Sequence, residues 1–262
     1  MSKRYMSVAG SFYPGSCGEV EKYISTFSDA IEKEIALPFV PKAIIAPHAG
    51  YIYSGFSANS AYKMVDTSAV KRVVVIGPSH RVFINGASVA IQEVYESPCG
   101  DLPIDRIYSR DLIDRYDFLG FQEDAHKEHS TETQAPFIKH YFNDVKIVEI
   151  VYGDIAYQKL IPIIEEVLRD EETFLVISTD LSHFYTLEEA NKLDAICLKA
   201  VENIDAGMMD AGCQACGMIG VKALMQAAKN SGLQSRLIDY RTSYDAGGDA
   251  GSVVGYLSAL FG

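Results

Sequence analysis

Three histidines occupy equivalent places, each just beyond a short apolar run. His48 lies in the APHAGY segment (46–51) that follows KAIIA, His80 in GPSH (77–80) after RVVVI, and His183 in STDLSH (178–183) after FLVI. Histidine is the commonest metal ligand and the side chain that titrates nearest neutrality. One such residue after a strand is ordinary; three at the same topological position point to a site. An open metal site needs about three protein ligands, often two imidazoles and one anionic group. For the anionic ligand the sequence offers Asp180, Asp124, Glu128 and Asp249, or the thiolate of Cys216 in Cys213-Gln-Ala-Cys216-Gly217. Cys216 stands before a helical pattern, whose positive end is expected to lower its pKa. An imidazole not bound to metal would serve as acid or base.

Other motifs are weaker. A solitary CxxC this late in the chain does not fit a thioredoxin-like dithiol, and a structural zinc would need a second CxxC or a histidine pair at knuckle spacing. Residues 123–132 pack His126, His129 and four carboxylates into ten positions. They read either as a solvated acidic loop capped by Ser130 or as a loop over the site, where Glu128 and His129 orient a ligand or carry protons. Tyr51, Tyr53 and Ser54 fall beside His48, and Arg81 beside His80 is a candidate for an anionic group. Gly247-Gly248-Asp249-Ala250-Gly251 reads as a closing turn, and no phosphate-binding glycine motif is present.

The elements that must position these residues are legible as runs and periods. Lys42–Ala46, Arg72–Ile76, Val145–Val151 and Phe174–Ile177 are apolar runs rich in Val and Ile with few charges, as expected of strands covered on both faces. Helical spacing recurs in Phe56–Met64, Thr133–Phe142, Tyr157–Leu168, Leu187–Val201 and Gly217–Lys229. Ser235–Tyr240 and Ser252–Leu260 read as closing strands, and Ala87–Gln92 with Leu102–Ile104 as a short hairpin. Alternation of strand and helix predicts an α/β fold, a mainly parallel twisted sheet flanked by helices, in one domain spanning 1–262. Ligands in such sheets bind beyond the carboxyl ends of the strands, where all three histidines would meet.

Composition narrows the partners. The 262 residues carry 23 basic and 35 acidic side chains, a formal charge of −12, with 48% hydrophobic residues. That balance argues against nucleic acid or an anionic membrane, which require a basic footprint. No run reaches the length of a membrane span, and the first residues are too polar for a secretory signal core. Five cysteines, an odd number, fit a reducing compartment better than a disulfide framework, so a cytoplasmic chain is expected.

Six segments together resemble the Memo family (mediator of receptor-driven cell motility), whose microbial members are called AmmeMemoRadiSam-system protein B. They are AGSFYP (9–14), IAPHAGY (45–51), GPSH (77–80), EHS (128–130), STDLSH (178–183) and Cys216-Gly217 before a helix, spread in order along nearly the whole chain. The resemblance implies a fold similar to the class III extradiol ring-cleaving dioxygenases, which are non-haem iron enzymes. It implies His48, His80 and Cys216 as ligands of a divalent metal, iron foremost, with copper or zinc as alternatives. His183 beside Asp180 would then take the acid/base position. A functional link to radical-SAM and AMMECR-like proteins is also implied. Cysteine where the dioxygenases carry glutamate implies altered redox behaviour. The expected function is therefore that of a metal-dependent oxidoreductase on a small substrate. The alternatives are metal-assisted hydrolysis and a non-catalytic peptide- or protein-binding module on a degenerate enzyme fold.

Overall fold

A computed structural model describes residues 1–31 and 36–262. The strands are β1 (Lys3–Arg4), β2 (Ala43–Ala46), β3 (Arg72–Pro78), β4 (Ala87–Val89), β5 (Val94–Tyr95), β6 (Leu102–Pro103), β7 (Leu119–Gly120) and β8 (Lys146–Tyr152). They continue with β9 (Thr173–Ser178), β10 (His183–Tyr185), β11 (Ser235–Thr242) and β12 (Val253–Phe261). The helices are α1 (Cys17–Asp29), α2 (Tyr51–Tyr62), α3 (Arg106–Arg115), α4 (His129–Glu132), α5 (Ala135–Tyr141), α6 (Ile161–Arg169), α7 (Leu187–Glu202) and α8 (Met218–Asn230).

Nine of these strands form one sheet, ordered β10-β12-β2-β9-β3-β8-β4-β7, with β11 paired to β12. Its centre, β2-β9-β3-β8, is parallel, and the closing strands β11 and β12 run antiparallel at one side. Alternation along each central strand sends side chains to opposite faces. Ile45, Val74, Ile76, Val148, Leu175 and Ile177 pack under α6, α7 and α8. Ile44, Val73, Val75, Ile147, Phe174 and Val176 pack under α1, α2 and α5. Both faces being covered is why these strands are so largely apolar.

Three expectations are corrected. Ala87–Gln92 and Leu102–Ile104 do not form a hairpin: Ala87–Val89 joins the large sheet beside β8, while Leu102–Pro103 pairs with Val94–Tyr95 in a small sheet with β1. Helix α2 starts at Tyr51, five residues before the predicted Phe56. It buries Ser54, Ser57, Asn59 and Ser60 along with its apolar residues, so the hydrophobic period is blurred. The predicted helices over 133–142 and 157–168 each break where a proline, Pro136 or Pro162, enters the first turn of α5 or α6.

The cysteines also depart from expectation. Cys17 is bonded to Cys99 and Cys197 to Cys213, so two disulfides exist and Cys216 is the free thiol. The second pair closes within the core, against the bottom of α7, and the CxxC does not pair with itself. Among the described residues, no helix is long and apolar enough to cross a membrane.

Candidate metal centre

His48 and His80 follow β2 and β3, the two neighbours of β9, and Asp180 follows β9 itself. The parallel arrangement therefore delivers all three to one edge of the sheet. The His48 and His80 rings lie 5.2 Å apart, centroid to centroid. Cys216 arrives from the opposite direction, at the start of α8. Its backbone N–H donates to the Asp180 carbonyl (3.2 Å), and Asp180 N–H points back at its Sγ (3.2 Å). Sγ then stands 3.4 Å from His48 Nε2. The approach is possible because residue 217 is glycine: a Cβ there would lie 2.5 Å from Thr179 Cβ and 2.7 Å from the Ser178 carbonyl.

His129 completes the group: read from the sequence as a residue of a loop over the site, it stands among the imidazoles themselves. The ligating atoms of His48, His80 and His129 all lie within 4.8 Å of one another. The His129 ring is 4.6 Å from that of His80 and 5.4 Å from that of His48. Helix α4 carries it, pressed onto β3 by the absence of a side chain at Gly77, where a Cβ would meet Ser130 Oγ at 2.6 Å. Ser130 is not the predicted cap. Glu128 caps this helix, its side chain accepting from Ser130 N–H, while Ser130 Oγ donates to the Pro78 carbonyl.

Neighbours fix the imidazole tautomers. Ser178 Oγ donates to the Ser130 carbonyl, so it accepts from His48 Nδ1–H at 2.9 Å. That leaves the Nε2 lone pair facing Cys216. Glu128 Oε1 accepts from His80 Nδ1–H at 3.0 Å, while its Oε2 accepts the His80 backbone N–H at 2.7 Å. His129 Nδ1 stands 2.9 Å from the same Oε1 but out of line, a buried polar atom without a hydrogen bond. Burial pushes Glu128 up, yet the two imidazoles and two backbone N–H groups outweigh it and hold the carboxyl well below its ordinary range. Burial, helped by His80 and His129, pushes His48 well below its ordinary value, keeping it neutral with a free lone pair.

The expected low cysteine pKa is corrected. Burial and the Asp180 carboxylate push the Cys216 thiol up to about 12, overriding the start of α8. Asp180 itself is raised by burial, although its Oδ1 accepts from His48 N–H at 2.8 Å.

The remaining predicted residues divide. His183, half-buried on β10, stands outside the cluster of three imidazoles. Tyr51 does not line a pocket. It is 2% exposed, its hydroxyl donates to the Thr133 carbonyl, and its ring stacks on Phe137. Arg81 is exposed beside His80. Asp124 pairs with Lys127 at the surface and Asp249 closes a turn onto Gly251, so neither joins the cluster.

Residues 123–132 are not a solvated loop, because Glu128, Glu132 and His126 are buried. Sequence reasoning missed what covers them. Arg4, 2% exposed, reaches Glu132, the Glu128 carbonyl (2.8 Å) and Glu149 (3.4 Å). Glu149 also accepts from Tyr95 and Thr131 and contacts His126 Nδ1 at 2.6 Å. Glu132 takes up two backbone N–H groups, from Ser7 and Val8, and the Tyr13 hydroxyl. The isolated charge of Glu149 inside an apolar strand was the one visible signal.

Comparison with known proteins identifies the family. A family described as Memo-like protein matches residues 4–260. A MEMO1 family protein of Aquifex aeolicus is 34% identical over 272 residues, covering 100% of both chains. Another, from Methanobrevibacter smithii, is 32% identical over 282 residues, covering 98% of this chain and 99% of its own. Among solved structures, an uncharacterized Escherichia coli K12 protein, JW3007, shares the fold with a TM-score of 0.58 and 13% identity, across 86% of this chain and 100% of its own. With the family pattern spanning all the segments that build the cluster, the chain belongs to the Memo family.

Proposed function

We propose that this chain is a metal-dependent oxidoreductase of the dioxygenase-like kind, acting on a small substrate with His48, His80 and Cys216 as metal ligands. One observation carries the reading: the strand-end imidazoles of His48 and His80, from the two strands that flank β9, have ligating atoms within 4.8 Å of each other, and the sulfur from a distant helix start stands 3.4 Å from His48 Nε2. Tetrahedral binding with metal–nitrogen and metal–sulfur bonds of about 2.1 and 2.3 Å would separate a nitrogen from a sulfur by about 3.6 Å. The observed 3.4 Å between His48 Nε2 and Cys216 Sγ fits that spacing. A cation would also offset the burial that keeps the thiol protonated. The ligating atom of His129, within 4.8 Å of those of His48 and His80, makes this imidazole a further donor.

Iron is the metal this donor set suits best if redox chemistry is performed; copper or zinc would also accept two nitrogens and a sulfur. When bound, the metal supplies Lewis acidity and, as iron, one-electron redox chemistry. The chain's own residues do the rest. Ser178 and Glu128 hold the two imidazoles by their Nδ1 atoms, as outer partners of metal-binding histidines do. The Phe12 ring lies 4.7 Å from that of His129 and covers one side of the cluster. Asp180 fixes the His48 backbone. His183, at the solvent side, takes a proton from the substrate as it binds. The same frame is consistent with a fold of the class III extradiol dioxygenase type.

Elemental analysis of protein purified without air, with the Cys17–Cys99 disulfide intact, tests the ligands, with His48→Ala and His80→Ala as controls. Bound metal should fall by at least tenfold in both, and unchanged content would overturn the assignment. Oxygen uptake with catechols as probes tests the chemistry. His183→Ala should keep its metal and lose uptake; turnover unaffected by removing oxygen would favour hydrolysis instead.

A further inference from the structure

A second group of donors lies away from the imidazole cluster. Cys17 opens α1, and Glu21, one turn later, shares its face. Cys99 comes from the turn between β5 and β6, and His140 from the last turn of α5. The ligating atoms of Cys17, Glu21 and Cys99 all lie within 4.8 Å of one another. Glu21 is the hub: one oxygen is 3.8 Å from Cys99 Sγ and the other 2.7 Å from His140 Nδ1. Two sulfurs and a carboxylate thus stand together, and the imidazole of His140 joins them through its contact with Glu21.

We propose that these four residues form a second metal site, which the protein binds through when Cys17 and Cys99 are reduced and which their disulfide closes. Two thiolates with an imidazole and a carboxylate make a tetrahedral donor set suited to zinc. The set differs in character from the imidazole cluster, being sulfur-rich and half open to solvent. Glu21 and His140 keep 43% and 30% of their side-chain surface exposed, so both a metal ion and a reductant can reach them. The short contact between His140 and Glu21 is the place where a cation replaces a shared proton.

The two states exclude each other, and their interconversion balances. A dithiol reductant gives two electrons and two protons to the Cys17–Cys99 bond and leaves as its own disulfide, yielding two thiols. On binding zinc these thiols release two protons to solvent, and the imidazole moves its proton from Nδ1 to Nε2. Oxidation reverses the sequence and expels the ion. Either state ties α1 to the β5–β6 turn, across 82 residues of sequence.

Cobalt titration of the full-length protein under anaerobic conditions reads this site, since thiolate ligands give a charge-transfer band. Protein reduced with a phosphine should take up one equivalent of cobalt more than the disulfide form, and zinc should displace it. His140→Ala should weaken that added equivalent at least tenfold. The Cys17→Ser, Cys99→Ser double variant should lose it while keeping the uptake that depends on His48, which also shows that the variant is folded. His48→Ala should retain the added equivalent, so failure of the first site would not be mistaken for failure of the second. Equal uptake by reduced and oxidised protein, or an added equivalent that survives in the double serine variant, would overturn the proposal.

Discussion

Glu128 Oε1 lies 3.0 Å from His80 Nδ1 and 2.9 Å from His129 Nδ1, so one buried carboxylate faces two imidazoles from different elements. It is bound in turn by the backbone N–H groups of His80 and Ser130, which lock its own position. Such an outer carboxylate sets the tautomer and raises the basicity of a ligand it does not share a bond with.

Glu128→Gln keeps the shape of the side chain and removes its charge. Metal affinity is expected to fall about 10- to 100-fold, the usual effect of losing an outer partner. A competition titration against a chromophoric chelator measures this. An affinity within a factor of two of wild type would remove Glu128 from the site.

Arg4 is the cation among Glu132, Glu149 and the Glu128 carbonyl, with its side chain almost wholly enclosed. Arg4→Met leaves two buried carboxylates facing each other across the space it filled. The expected loss of stability is about 3–5 kcal/mol, measured by urea denaturation at neutral pH. Arg4→Lys is expected to rescue only part of it, because an ammonium cannot span the three acceptors as a planar guanidinium does.

Gly217→Ala places a methyl group against Thr179 and the Ser178 carbonyl. The backbone must shift to accept it, at a cost of about 1–3 kcal/mol. Because Cys216 is the preceding residue, the shift also moves its sulfur. Both the urea midpoint and metal affinity should drop, whereas Gly120→Ala, at a glycine with open space around it and no left-handed backbone, should leave affinity unchanged.

Acid stability should report on Glu149. Burial alone would raise its carboxyl, but Arg4, His126 and Thr131 outweigh burial and hold it at about 2. A folded pKa below the unfolded value of about 4.3 means stability is present above that value and lost as pH falls toward 2. Urea midpoints measured between pH 5 and pH 3 should fall steeply in the wild type. Glu149→Gln should be less stable at pH 7 and show a shallower fall, since it no longer has a proton to gain there.

How much of this was legible depended on whether a residue announces its neighbours. The central strands were readable because burial on both faces demands unbroken apolar runs, and His48, His80 and Asp180 follow them by position alone. Cys216 was one of several anionic candidates until the family resemblance singled it out, since nothing local shows which strand end a helix start will meet. The place of His129 among the imidazoles and the role of Arg4 were hidden. One sits in a polar stretch whose burial depends on a glycine 52 positions earlier, and the other lies near the amino terminus, where charged residues are usually solvated. Helix α2 was misplaced because its buried serines and asparagine are satisfied by contacts from distant segments, such as Ser57 to Asp239 and Asn59 to Ser28.

X-ray absorption at the metal edge tests the ligand set most directly, on protein purified without air and with Cys17 and Cys99 oxidised. The expected spectrum has one sulfur neighbour at about 2.3 Å and imidazole nitrogens at about 2.1 Å, with the sulfur contribution absent in Cys216→Ser. A shell of nitrogen and oxygen alone in the wild type, unchanged by Cys216→Ser, would contradict a centre held by His48, His80 and Cys216.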